Sequence, residues 1–118
     1  MRFYAEELEG LFEELVNYYR SLLRLESKLK SIGSNEENLM EILRWRMAIA
    51  RFLVEQRKLI ASIKNGSKVE ARNGACLVND IALRLLREAP NPSISFYVVP
   101  LIAEIYEISR VICEHQGS

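Results

Sequence analysis

The sequence predicts an all-α protein: an elongated four-helix bundle, five helices if one irregular stretch counts separately, led by a long N-terminal heptad helix. Three observations carry this. Apolar residues step by three and four without a miss from Met1 to Ile32, the spacing that holds one helix face against its neighbours. Glycine and proline are scarce, five and three in 118 residues, and Gly33, Gly66 and Pro90 fall where a helix would end. The composition, 49% hydrophobic and 27% charged, is that of an ordinary globular chain.

The first helix follows from Met1, Tyr4, Leu8, Leu11, Leu15, Tyr18, Leu22, Leu25, Leu29 and Ile32, which form a single seam. Glu6, Glu7, Glu9, Glu13 and Glu14 crowd its first half, and Arg20, Arg24, Lys28 and Lys30 its second. Both placements suit the helix macrodipole. Gly33 should end it, giving a rod of about 45 Å at 1.5 Å per residue.

Ser34 or Asn35 can cap the second helix, with Glu36 and Glu37 in its first turn. It should reach about Ile63 and close at Asn65-Gly66. Ser67-Lys68-Val69-Glu70 has the form of a capping box and opens a third helix carrying Leu77, Val78, Ile81, Leu85 and Leu86. Asn73-Gly74 is a candidate break within its first two turns. Ala89-Pro90-Asn91-Pro92 ends it, because proline disfavours helical geometry in the residue before it. Asn91 with Pro92 fits the start of a last helix, with Leu101, Ile105, Ile108 and Ile112 as its core stripe. Pro100 should kink that helix or delay its start. The intervening ISFYVV is read as helix, since an isolated strand has nothing to pair with. The expectation is one domain over residues 1–116, with Gly117-Ser118 as a tail.

Sixteen cations balance sixteen anions. General attraction to nucleic acid or to an anionic membrane is therefore lacking, and any such contact needs a local patch. No apolar run reaches the length of a membrane span, and no signal peptide opens the chain, so a cytoplasmic protein without membrane contact is expected. Cys76 and Cys113 make neither a metal spacing nor a CxxC. A disulfide between them stays open; the reading adopted is two small buried hydrophobes in a reducing compartment.

The second helix carries the one informative surface. At 100° per residue, Ile42, Trp45, Ile49, Phe52, Leu53, Ile60 and Ile63 fall on one broad core side. Met40, Leu43, Met47 and Val54 fall on a second side, well round the cylinder. A helix with two apolar sides is central in its bundle or has a partner outside it. Arg44, Arg51 and Lys58 repeat every seven residues as one line away from the core. Arg46, Arg57 and Lys64 form another along the core edge, where Glu6, Glu9 and Glu13 of the first helix offer carboxylates. The outer line suits solvent, an acidic protein partner, or nucleic acid held by phosphate contacts alone.

Catalytic constellations are missing from the sequence. His115 has no cysteine, aspartate or serine at a telling spacing, and no Glu-x-x-His pair for a di-iron bundle occurs. The lone aspartate, Asp80, has leucine three residues before it, which defeats the paired-carboxylate motif of helical nucleotide pyrophosphatases. Glu104-x-x-Glu107 is an ordinary surface pair. No glycine-rich phosphate loop, G-x-S-x-G or H-E-x-x-H appears. The expectation is a protein that is not an enzyme, with no cofactor, metal or small-molecule substrate.

The run I-L-R-W-R-x-x-I-A-R-F-L-V-x-x-R within Ile42–Ser62 resembles the central helix of the α-helical domain of GINS subunits. The helix order around it is similar as well. The resemblance implies a non-enzymatic subunit that packs with paralogues into a tetramer and braces the MCM helicase together with a RecJ-like partner. It implies Arg44, Arg46, Arg51 and Arg57 as framework and interface charges, with Leu43 and Met47 as subunit contacts. The small β-rich domain usual in GINS subunits has no counterpart in this sequence. Two other readings stay open: a helical subunit of another nucleoprotein complex, such as a CRISPR effector, with Arg44, Arg51 and Lys58 on nucleic acid; and a homo-oligomeric bundle built through the heptad seam and Met40, Leu43, Met47 and Val54.

Overall fold

Five helices make up the computed structural model, which describes residues 2–33 and 35–115: α1 (Arg2–Ser31), α2 (Glu36–Lys64), α3 (Lys68–Glu88), the one-turn α4 (Pro92–Ser95) and α5 (Val99–Glu114). Among the described residues there is no strand. Met1 at the head of the expected seam, Ser34 as an alternative cap, and the Gly117-Ser118 tail lie outside them.

Short-range chemistry sets each boundary. Gly33 takes φ 68°, a left-handed conformation that side chains resist, and stops α1. Asn35 then caps α2, its Oδ1 accepting from the Glu37 N–H at 2.7 Å. At the other end of α2, Gly66 has φ 74°; its N–H donates to Ile63 O, and the Ser67 N–H donates to Ser62 O. Those paired bonds are a Schellman motif. They also explain why the expected capping box does not form. The Ser67 N–H that Glu70 would have taken is already spent, and Ser67 makes no side-chain cap bond.

Asn73-Gly74 does not break α3. Gly74 sits against Leu59 of α2, at a level where Ala71 and Ala75 are also buried. Small residues there let the two helices approach closely. Asn91 caps α4 by accepting from Ser93 N–H at 2.9 Å. Pro100 cannot donate to the Phe96 carbonyl, and its ring would crowd it. The chain therefore turns over Phe96–Val98 and restarts as α5 at Val99. ISFYVV is thus part helix and part turn.

Short turns between α1, α2 and α3, and a longer connection through α4, return each long helix beside the one before it, in the sequence α1, α2, α3, α5. The pairs α1–α2, α2–α3 and α3–α5 pack extensively, whereas α1 and α5, which would close the ring, meet over a much thinner seam. The molecule measures 55 × 22 × 18 Å with a radius of gyration of 15.4 Å, against about 13.5 Å for a compact chain of this length.

The core is built from Leu8 and Leu15 of α1, Ile49, Phe52 and Leu59 of α2, Val78 of α3, and Ile102, Ile105 and Ile112 of α5. The expected seam of α1 is buried at Leu8, Leu11, Leu15 and Leu22, half-buried at Leu25 and Leu29, and 67% exposed at Ile32. The cause is length: α1 has 30 residues and α5 only 16, so the last turns of α1 lack that neighbour. The stripe on α5 is Ile102, Ile105, Ser109 and Ile112, rotated from the expected one, and Leu101 and Ile108 are half-buried. Ser109 is accommodated because its hydroxyl donates to Tyr106 O at 3.0 Å and accepts from Asn79 Nδ2 at 3.3 Å.

The two cysteines are not free thiols. Cys76 of α3 and Cys113 in the last turn of α5 form a disulfide, with Cα atoms 4.8 Å apart. This overturns the reading of two reduced core cysteines. The close packing of α3 on α5 aligns positions 37 residues apart, which no local spacing could announce.

Candidate partner-binding surface

α2 is held in place from two sides before it presents a third. Toward α1, Trp45 Nε1 donates to the Tyr18 hydroxyl at 2.7 Å, and that hydroxyl donates to Ile94 O at 2.7 Å. This relay joins α2, α1 and α4. Burial pushes the Tyr18 pKa up, against a smaller opposite pull from the Trp45 bond, which keeps the hydroxyl neutral and able to donate. Farther along, Gln56 Nε2 donates to Leu8 O at 3.0 Å from a fully buried position. Gln56 and Leu59 belong to the core side of α2, a pair the spacing argument left out.

The core-edge cations behave unevenly. Arg46 forks onto Glu26 of α1: Nη2 donates to Oε1 at 3.3 Å, and Nε faces Oε2 at 3.0 Å as a charge contact without hydrogen-bond alignment. The Tyr19 hydroxyl first, and Glu26 next, raise the Arg46 pKa above its ordinary value. Lys30 stands 4.0 Å from the same carboxylate. Lys64 pairs with Glu9 as expected. Arg57 is exposed, and neither Glu6 nor Glu13 forms an ion pair among the described residues. Glu26, outside the expected set, and Glu9 are the carboxylates paired along this edge.

Opposite the core lies the surface of interest. Met47 is 59% exposed, Val54 51% and Met40 39%, and Leu43 is half-buried beside them. Arg44, Arg51 and Lys58 are all exposed along the same flank. Lys58 reaches Glu55 within the helix at 3.4 Å; Arg44 and Arg51 form no ion pair among the described residues. Side by side, Met40, Met47, Val54 and Arg44, Arg51, Lys58 make two parallel lines with a seven-residue repeat. The result is an apolar ridge about 21 Å long, edged by positive charge. It can bury apolar area against another macromolecule and set orientation through its guanidinium groups.

Other chemistry is thin. Among the described residues no group of three or more His, Cys, Asp or Glu side chains is placed to hold a metal ion. Glu107 is occupied by Arg110, whose Nη2 donates to it at 2.7 Å. His115 is exposed at the C-cap of α5, its backbone N–H donating to Ile112 O. Among the described residues no helix is long and apolar enough to cross a membrane. Comparison of the chain with protein-family models, with curated proteins and with solved structures returned no match in any of the three.

Proposed function

We propose that this chain is a non-enzymatic helical subunit of a multi-protein assembly, and that it engages its neighbour through the outer face of α2. The observation that carries the reading is the pairing of exposed Met47 and Val54 with the uncommitted guanidinium groups of Arg44 and Arg51, on a helix whose opposite side supplies the core. Scattered single hydrophobes are normal on a surface, but a continuous line on one helix is not. The likeness of Ile42–Ser62 to the central helix of GINS subunits extends the proposal to a scaffold in DNA replication. In that setting Leu43 and Met47 are subunit contacts.

The test is capture of partners from nuclease-treated native lysate by the wild-type chain and by Met47→Asp, followed by mass spectrometry. The proposal expects a defined partner, this chain itself included, that the wild type holds and the variant loses. Replicative helicase or paralogous subunits among the captured proteins support the GINS-like form. Equal capture by both chains contradicts α2 as the contact face. Capture seen only in a parallel untreated lysate moves Arg44, Arg51 and Lys58 to a nucleic-acid role.

A further inference from the structure

The two halves of α1 carry opposite charge. Glu6, Glu7, Glu9, Glu13 and Glu14 lie in the first half, and Arg20, Arg24, Lys28 and Lys30 in the second. Glu26 is the single carboxylate between residues 15 and 35, and it is buried against α2 in its pair with Arg46. Arg20, Arg24 and Lys28 are exposed, and none of them forms an ion pair among the described residues. Beside them, along the thin seam between α1 and α5, runs a groove of about 930 Å³. Leu22, Leu25, Ile94 and Leu101 floor it, and Phe96 and Tyr97 flank it. Glu14, at the end nearer the start of α1, is the one charged residue lining it among those described. Asn17 and Ser21 also line the groove, and at 100° per residue they share a strip of α1 about 60° wide with Arg24 and Lys28. Arg24 reaches that rim, its Nη2 donating to Ser21 Oγ at 3.1 Å.

On the other flank, Phe96 and Tyr97 are 74% and 79% exposed, so each ring has an open face. Their centroids stand 5.8 Å apart with planes at 87°, and the pair opens in two directions rather than covering itself. The turn that carries them is anchored. The Ser95 hydroxyl donates to Pro90 O at 2.9 Å, Val98 is fully buried, and the Tyr18 hydroxyl donates to Ile94 O.

We propose that the second half of α1 and the Phe96–Tyr97 turn bind single-stranded nucleic acid. Arg20, Arg24 and Lys28 take the phosphates, and the two rings stack on bases lodged in the groove. A cationic track beside aromatic platforms is the combination that holds a strand without reading its sequence. Guanidinium, ammonium, hydroxyl and amide groups are the usual partners of phosphate oxygens, and Arg24, Lys28, Ser21 and Asn17 bring all four to one strip. The chain as a whole is neutral, so the attraction is local to this strip. Glu13 and Glu14, about one turn before Asn17, repel phosphate, and the strand therefore crosses α1 over residues 20–28 instead of following it to its start. An acidic peptide matches the cations, but its carboxylates give the two rings nothing to stack on. A duplex matches them as well, but its bases are already stacked on one another. The site is separate from the outer face of α2, whose role as a contact face neither supports it nor depends on it.

The test is fluorescence anisotropy of a labelled oligothymidylate and a labelled oligouridylate, each about 12 nucleotides long, titrated with full-length chains. The chains are the wild type, Arg24→Glu/Lys28→Glu, Phe96→Ala/Tyr97→Ala, and Arg51→Glu/Lys58→Glu as a control on α2. All substituted side chains are exposed, and far-UV circular dichroism confirms that each variant keeps its helices. The wild type should bind at low salt, and its affinity should fall with rising salt at a log–log slope of about −1.5 to −2, as two or three phosphate contacts require. The charge variant should bind at least about tenfold more weakly. The ring variant should lose about fivefold or more with its salt slope unchanged, and a duplex of equal length should bind the wild type more weakly by a similar factor. The control should bind like the wild type. Binding of either strand supports the proposal, and the tighter of the two tells DNA from RNA. No binding at low salt overturns it. Wild-type affinity in the ring variant also overturns it, reducing the site to a general polyanion contact. Displacement of the strand by polyglutamate as readily as by unlabelled strand overturns it in favour of an acidic peptide. Loss of binding in the α2 control alone moves the strand to Arg44, Arg51 and Lys58.

Discussion

Trp45 and Met47 are two residues apart on the same helix and differ completely in surroundings. On the inner side of α2, Trp45, Ile49 and Phe52 are buried, and the indole N–H of Trp45 is bonded to Tyr18. On the outer side Met40, Met47 and Val54 stand in the open, flanked by arginines without acidic partners among the described residues. Hydrophobicity alone does not separate the two sides. What separates them is cover: the inner residues are buried where α2 packs on α1 and α3 of their own chain, and the outer ones are 39–59% exposed. An apolar side that the fold leaves bare is where a second macromolecule would do most good.

The largest expected effect tests whether the two sides differ energetically as well. Phe52→Ala removes a fully buried ring and should cost about 3–5 kcal/mol in denaturant unfolding, whereas Val54→Ala should cost less than about 0.5 kcal/mol. Similar losses at both positions would mean that the outer face is packed in the protein as it exists.

Next comes the contrast between the tight α3–α5 pair and the thin α1–α5 seam. The Cys76–Cys113 bridge closes a loop over a separation of 37 residues, so reducing it should lower stability by up to about 3–4 kcal/mol. The loss should centre on α5, read as faster amide exchange in Val99–Glu114 than in α1 or α2. Uniform acceleration throughout the chain would show that the bundle opens as one unit instead.

Arg46→Met isolates the charged edge between the inner and outer sides. It leaves the buried Glu26 carboxylate with only Lys30 near it and should cost roughly 1–3 kcal/mol. Glu26→Gln in the same background should recover part of that loss. Smallest and opposite in sign, Gly74→Ala should stabilise the chain by about 0.5–1 kcal/mol. The added Cβ would meet Leu59 atoms at 3.7 Å, an ordinary contact, and α3 is regular helix there. A loss of stability would mean that α2 and α3 approach more closely than those distances imply.

Helices could be read from the sequence wherever periodicity and end chemistry agree. The stepping of Leu8, Leu11, Leu15 and Leu22, the Asn35 and Asn91 caps and the Gly33 and Gly66 stops depend on neighbours in the chain. The two sides of α2 were readable for the same reason, because α2 is a long regular helix with its faces fixed by 100° per residue. Features made by tertiary packing were not. Pro100 marks a delayed start for α5, but nothing local foretells that Ile102 rather than Leu101 turns inward. The Cys76–Cys113 bridge, the partner of Arg46 and the service of Gly74 as a packing position rather than a break each depend on which helix lies alongside. The groove beside Phe96 and Tyr97 arises because α5 is half the length of α1, a mismatch visible only after Pro100 has set where α5 begins.

In the working assembly the outer face of α2 should be covered by protein. Methionine oxidation reads this directly, because Met47 and Met40 sit on that face. The rate of sulfoxide formation at Met47 would be measured by mass spectrometry in nuclease-treated native lysate and in the purified chain at high dilution. The account predicts oxidation several-fold slower in the lysate, with Met47→Leu chains unaffected elsewhere. Equal rates in both would contradict it, and would leave the ridge and its arginines as ordinary solvent-facing surface.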